Sequence, residues 1–164
     1  SLGVSCVRSQ IELSQAVERA FKIDDQVIIE EMVEGFEVGC AIMGKGNDSI
    51  IGEVDEIELT GDFFDFTEKY TLETAQIHLP ARLSEQTTAK VKQTALRIYK
   101  ALGCSGFARV DMFITPDEQI VFNEVNTIPG FTSHSRYPRM MEAIGYSFAT
   151  LINHLIEMGV KQEC

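Results

Sequence analysis

The chain has 164 residues, a formal net charge of -11, and 45% hydrophobic and 24% charged residues. A surplus of carboxylates without clustered Lys and Arg argues against phosphate-backbone contacts, so no nucleic acid partner is expected. No apolar run reaches the roughly 20 residues of a membrane helix, and residues 1–7 lack the charged leader and apolar stretch of a secretory signal, so a cytoplasmic protein with no membrane partner is expected.

A chain of this length is expected to form one domain, residues 1–164, around one core. Cys6, Cys40, Cys104 and Cys164 have no C-x-x-C spacing and read as reduced thiols packed as small hydrophobes.

In chain order, Ser9-Gln10-Ile11-Glu12 is a capping box opening a packing helix, with Ile11, Leu13, Ala16, Val17, Ala20 and Phe21 at helical spacing. Val27-Ile28-Ile29 starts a strand that runs into the acidic stretch Glu30-Glu31-Met32-Val33-Glu34-Gly35-Phe36-Glu37. Gly35 permits a bend there, and Phe36, Val38, Cys40 and Ile42 alternate along the next strand. On its own the acidic stretch reads as a solvated bend. Residues 44–48 form a turn, and residues 50–59 a further strand whose charges alternate outward. Residues 60–81 have little periodicity but contain Phe63, Phe64, Phe66, Lys69 and Tyr70, and the segment is long for an idle connector, so it reads as a functional loop.

Residues 84–102 carry Val91, Ala95, Ile98 and Leu102 on one stripe with Gly103 beyond, an amphipathic helix. Next come two apolar runs of strand length, 107–114 and 120–126, separated by a turn at 115–119. If the loop is the four residues 116–119, Thr115 pairs with Ile120, Asp111 faces Glu124 and Arg109 faces Asn126, with all four side chains on one side of the hairpin. Two carboxylates, a carboxamide and a guanidinium on one face are either an ion-paired outer surface or a site for something cationic and something anionic. Hard oxygen donors without His or Cys suit Mg²⁺ held together with substrate phosphates. Residues 126–135 then form a loop of Pro, Gly and hydroxyl residues beside that face, in which His134 serves either as a loop-orienting hydrogen bonder or as a direct contact. Pro138 opens a helix over 138–144, and 147–158 is the last helix, burying Phe148, Leu151, Ile152, Leu155 and Ile156.

GFARVDMFIT followed by IVFNEVNTIPGFTSHSRYP, with VIIEEMVEGFEV and FFDFTEKYTLETAQIHLPA upstream, resembles the last third of the D-alanine:D-alanine ligases, members of the ATP-grasp family. The resemblance spans essentially the whole chain, and E-K-Y-T-L-E is most similar to the D-alanine:D-serine ligases of vancomycin resistance. It implies an α+β ATP-grasp C-terminal domain, a mostly antiparallel sheet flanked by helices. It also implies an ATP-dependent reaction in peptidoglycan synthesis, in which D-alanine is activated as an acyl phosphate and the amine of a second D-amino acid displaces phosphate. The cofactors implied are ATP and Mg²⁺, with Mn²⁺ as an alternative.

The resemblance assigns Asp111, Glu124 and Asn126 to the metal, Arg109 and the Gly130 N–H to the oxyanion of the tetrahedral intermediate, and Ser135 to the second substrate's carboxylate. It places Glu30, Glu31 and Val33 around adenine, Glu37 on the ribose, Phe63 near the base and Lys69 on the phosphates. Tyr70 falls at a position that holds the loop closed and influences the second substrate. The N-terminal D-alanine-binding domain and the upstream part of the ATP-grasp fold are expected to lie outside this sequence, with the piece folding yet catalysing poorly, and the full-length enzyme forming a homodimer. The alternatives are another ATP-grasp carboxylate-amine ligase and a non-catalytic Mg-nucleotide-binding module.

Overall fold

Ten residues with alternating faces, Phe36–Lys45, form β1, and in the computed structural model, which describes residues 2–59 and 75–161, this strand is paired on both sides. A short 3-10 turn leads into β2 (Ile50–Leu59), antiparallel to one side of β1. On the other side lies β4 (Ser105–Ile114), antiparallel over ten residue pairs from Phe36 with Ile114 to Lys45 with Ser105. β5 (Ile120–Asn126) pairs with β4, and β3 (Ala75–His78) lies against β2, giving the order β3-β2-β1-β4-β5. The fold is the expected α+β arrangement, an antiparallel sheet flanked by helices.

Each face of the sheet has its own cover. Val38, Cys40, Ile42, Val54, Ala108, Val110, Met112 and Ile114 point to one side, where α2 (Glu85–Ala101) closes over them with Val91, Ala95 and Tyr99. Ser84 caps this helix by accepting the Thr87 N–H at 3.1 Å, and Gly103 follows its end with φ +66°. Of the expected 91, 95, 98 and 102, Val91 and Ala95 are buried and Ile98 packs half-buried against the core, but Leu102 is mostly exposed, and Thr87 and Tyr99 complete the buried stripe. Tyr99 belongs inside because its hydroxyl donates to the Gly44 carbonyl at 2.8 Å, which satisfies the phenol within an apolar layer.

The opposite face is split. At one end, Ala41 and Met43 pack under Tyr137, Met140 and Met141 of α3 (Arg136–Glu142) and Leu151 of α4 (Phe148–Lys161), with Phe107 and Phe131 alongside. At the other end the same strands present Glu37, Gly39, Asp55, Arg109, Asp111 and their neighbours on β5.

Among the described residues the chain divides into two compact units, one holding 2–33 with 59 and 75–76, the other 34–58 with 77–161. In the first, α1 (Gln10–Ala20) has the expected cap: Ser9 Oγ accepts the Glu12 N–H at 3.3 Å, and Glu12 reaches back to the Arg8 N–H at 2.8 Å. Its apolar stripe is not packed as expected, since Ala16 is its one buried residue and Ile11 and Phe21 are exposed. Residues 27–29 are extended but not a strand, and Ile28 and Ile29 are exposed: no neighbouring chain among the described residues offers a ladder to pair with.

Three further expectations change. The segment read as a loop through residue 81 contains β3, whose edge is tied to β2 by His78 and Glu58 at 2.6 Å. The β2 carboxylates do not all point to solvent, because Asp55 and Glu56 are buried, each beside an arginine from a distant segment. The third helix starts two residues before Pro138, which sits inside its first turn, where a missing N–H breaks no helical bond.

Candidate active site

The site is written by the β4–β5 hairpin. Arg109 pairs with Asn126 and Asp111 with Glu124, as the sequence arithmetic required, but two departures lie between these pairs and the turn. The loop is three residues rather than four: Thr115 N–H donates to the Gln119 carbonyl at 3.0 Å and the Glu118 N–H to the Thr115 carbonyl at 2.9 Å, with Glu118 at φ +60°. That moves the turn-side pairing by one, to Ile114 with Ile120. A bulge between Asp111 and Met112 then adds one residue on β5 and restores the register where the charged side chains stand.

All four side chains share a face and touch. Arg109 donates through Nε and Nη2 to the two oxygens of Asp111, both at 2.7 Å. Asn126 Nδ2 donates to Asp111 Oδ2 at 2.9 Å and to Glu124 Oε1 at 3.1 Å. Asp111 has no solvent exposure, and Arg109 is buried with it. A bidentate guanidinium of this kind fixes the position and orientation of the carboxylate.

Sequence reasoning missed the second layer. Arg136, the first residue of α3, donates through Nε and Nη2 to Asp55, both at 2.7 Å, and through Nη1 to Glu37 at 3.1 Å; its Nη2 is 3.7 Å from Asp111. Burial alone would weaken its charge, but Asp55, Asp111 and Glu37 outweigh that and hold it protonated well above the ordinary arginine range. Gly39 makes the space: a Cβ there would lie 2.4 Å from Arg136 Nη2, 2.8 Å from Asp55 Oδ1 and 2.9 Å from Asp111 Oδ1. The Gly39 N–H also donates to Asp55 at 3.1 Å. Ser135-Arg136 ahead of an early-turn Pro is an N-cap pattern that puts Arg136 in the first turn of a helix, but it does not say what the side chain meets.

The loop after β5 brings Gly130 and Ser135 together, a Cβ on Gly130 falling 3.1 Å from Ser135 Oγ. Ser135 Oγ accepts the Thr132 N–H at 3.0 Å and shares a hydrogen bond with Thr132 Oγ1 at 2.9 Å. Phe131 anchors this loop, its ring 5.4 Å from Phe107 and 5.7 Å from Phe148. His134 is exposed and makes no hydrogen bond among the described residues. Glu30, Glu31 and Val33 belong to the first unit and Glu37 to the second, while Phe63, Lys69 and Tyr70 lie outside the described residues.

The donor set fits a hard divalent cation. Among the described residues no three His, Cys, Asp or Glu side chains gather into a metal cluster, so carboxylates alone do not make a site. Asp111, Glu124 and the Asn126 amide do face one another, and a carboxamide offers either its nitrogen or its oxygen by rotation. Two carboxylates and an amide oxygen, with water and phosphate completing the shell, is the way proteins hold Mg²⁺.

The family model described as "D-ala D-ala ligase C-terminus" matches residues 1–157. The Vancomycin/teicoplanin A-type resistance protein VanA of Enterococcus faecium is 47% identical over 98% of this chain, which spans 48% of that protein's length. Among solved structures, the VanG D-Ala:D-Ser ligase from Enterococcus faecalis superposes with a TM-score of 0.86 at 56% identity, covering 95% of this chain and 45% of that one. The D-alanine--D-alanine ligase from Bacillus anthracis complexed with ATP gives 0.79 at 31% identity, covering 94% and 49%. The chain therefore corresponds to about half the length of the relatives it matches.

Proposed function

Because the chain belongs to the D-ala D-ala ligase C-terminus family, we propose that it supplies the nucleotide- and metal-binding part of an ATP-dependent ligase joining D-alanine to a second D-amino acid. The observation that carries this reading is the single face on which buried Arg109 and Asp111 and half-buried Asn126 and Glu124 are joined by hydrogen bonds. The similar proteins named as vancomycin-resistance and D-Ala:D-Ser ligases support a D-dipeptide product for peptidoglycan, with D-serine or D-alanine as acceptor and a role in vancomycin resistance. No helix among the described residues is long and apolar enough to cross a membrane, which agrees with a cytoplasmic enzyme using small-molecule substrates.

In this reading Asp111, Glu124 and Asn126 hold Mg²⁺, or Mn²⁺ in its place. The ion supplies charge neutralisation at the β- and γ-phosphates of ATP when bound. Arg109 is already aligned by Asp111, which uses two of its five N–H groups, so the rest of the guanidinium is available to an oxyanion. Gly130 lies beside Ser135 in the anchored loop and its N–H is assigned to the same oxyanion, while Ser135 exchanges its Thr132 contacts for the second substrate's carboxylate. Glu30, Glu31 and Val33 are assigned to the adenine, Glu37 to the ribose, Phe63 to the base, Lys69 to the phosphates, Tyr70 to the choice of second substrate, and His134 to a loop-orienting or direct contact. For the complete enzyme the same reading proposes a homodimer and an N-terminal D-alanine-binding domain, the present chain spanning about half the length of the relatives it matches.

Calorimetry of the chain with ATP, with and without Mg²⁺, tests this. Binding is expected to require Mg²⁺ and to fall by at least about tenfold in Glu124→Ala, the loss of one charged ligand. Tight binding that ignores both the metal and the substitution would instead favour a non-catalytic nucleotide module.

A further inference from the structure

Arg136 occupies a place that a cation site would otherwise extend into. Its side chain is only 11% exposed, and its guanidinium is held from three strands, by Asp55 on β2, Glu37 on β1 and, at 3.7 Å, Asp111 on β4. Asp55 is 1% exposed and makes no use of solvent; its oxygens accept from Arg136 and from the Gly39 N–H. The absent side chain at Gly39 leaves one small space, and Arg136 Nη2, Asp55 Oδ1 and Asp111 Oδ1 all border it. Asp55 and Asp111 are thus neighbouring carboxylates kept apart by a guanidinium.

Resting on the metal reading above, we infer that Arg136 is a specificity-determining residue for the cation. By engaging both oxygens of Asp55, whose carboxylate borders the same small space as that of Asp111, it withholds that group from the adjacent site, so that the ion meets Asp111, Glu124 and Asn126 without it. A sparse donor set suits Mg²⁺, which keeps several of its waters, and disfavours Ca²⁺, which takes six to eight oxygens at longer distance. The guanidinium does this better than an ammonium because its planar fork occupies both oxygens of Asp55 at once. Simple repulsion between Arg136 and the ion makes a different forecast: removing the charge would tighten every divalent ion alike and leave their ranking unchanged.

The test follows Mn²⁺ bound to the chain by electron paramagnetic resonance and titrates it off with Mg²⁺ or Ca²⁺. In the parent chain Mg²⁺ is expected to compete at least as well as Ca²⁺. In Arg136→Gln the ratio shifts toward Ca²⁺ by about tenfold or more, since ligand charge count tunes Ca²⁺ affinity over decades. Arg136→Lys, which keeps a cation beside Asp55, stays nearer the parent ratio. The double variant Arg136→Gln/Asp55→Asn removes both charges, leaves no buried aspartate stranded, and returns to the parent ratio because the recruited ligand is gone. An unchanged ratio in Arg136→Gln, or a shift that persists in the double variant, overturns the inference. Should Arg136→Gln be unfolded in chelator, its thermal midpoint in Ca²⁺ against Mg²⁺ gives the same reading: a larger rise with Ca²⁺ supports it and equal rises overturn it. Mn²⁺ binding that survives Glu124→Ala unchanged would instead sink the metal reading itself, and no Mn²⁺ binding in any form overturns both.

Discussion

β1 and β4 each carry two different messages on their two faces. Val38, Cys40, Ile42, Ala108, Val110 and Met112 face α2 with no exposed surface, whereas the residues between them, Glu37, Gly39, Arg109 and Asp111, form a charged face. The apolar face tolerates imprecision because dispersion and burial are non-directional; the charged one depends on each donor meeting its acceptor. Period-two alternation lets ten consecutive residue pairs supply rigidity on one side and chemistry on the other, so the site stands on strands joined by a ten-pair ladder.

The strongest way to break this comparison is to strand a charge. Arg109→Leu leaves the fully buried Asp111 without its bidentate partner and is expected to cost about 3–5 kcal/mol in urea unfolding, more than an apolar deletion of similar size. On the opposite face, Ile42→Ala should cost about 2–4 kcal/mol, while the fraction that remains folded binds Mn²⁺ as the parent does. A Mn²⁺ affinity that fell with Ile42→Ala would show the two faces to be coupled.

Gly39→Ala sharpens the contrast, because it adds one methyl group to the charged face without removing any charge. Its Cβ would press on Arg136, Asp55 and Asp111, and a loss of about 1–3 kcal/mol is expected together with weaker Mn²⁺ binding. Smallest is Tyr99→Phe, which leaves the Gly44 carbonyl without its buried donor and should cost about 1 kcal/mol with no change in metal binding.

The apolar face also has a pH signature. Burial pushes the Cys40 thiol up to about 12 and the Tyr99 phenol up to about 12, so both stay neutral when folded while the unfolded chain ionises them at their ordinary, lower values. The stability they contribute is complete below those unfolded values and is lost as pH rises toward 12. The thermal midpoint should fall from about pH 9 upward, and Tyr99→Phe should flatten the part of the decline that begins near pH 10. A midpoint that is level across this range would contradict the burial of both groups.

The acid pair was legible in the sequence for a partly fortuitous reason. Counting back from a four-residue loop put Asp111 opposite Glu124, although the loop has three residues and the ladder has a bulge; the two one-residue departures cancel. Neither left a clear mark, since Glu118 takes a left-handed conformation usually given to Gly or Asn, and the bulge has no glycine. Arg136 was not legible because its partners on β2 lie 81 residues away, and local patterning reports a face but not what crosses to it. The same limit hid Glu56, read as outward-facing. It is held by Arg82 through contacts of 2.5 and 3.1 Å, and its carboxyl lies below the usual range because that arginine outweighs the upward push of burial. For the stripe of α2, spacing could not choose between Ile98 and Tyr99; the Gly44 carbonyl across the sheet made the choice.

The bulge on β5 works like a slip joint. The extra residue Asn123 makes up for the short tip from Pro116 to Glu118, and the pairs beyond it, Asp111 with Glu124 to Arg109 with Asn126, stand in register again. A fluorophore or affinity tag spliced between Asp117 and Glu118 would therefore ride on a solvent-facing knuckle, and the hairpin offers a labelling port that leaves the carboxylates at its far end undisturbed.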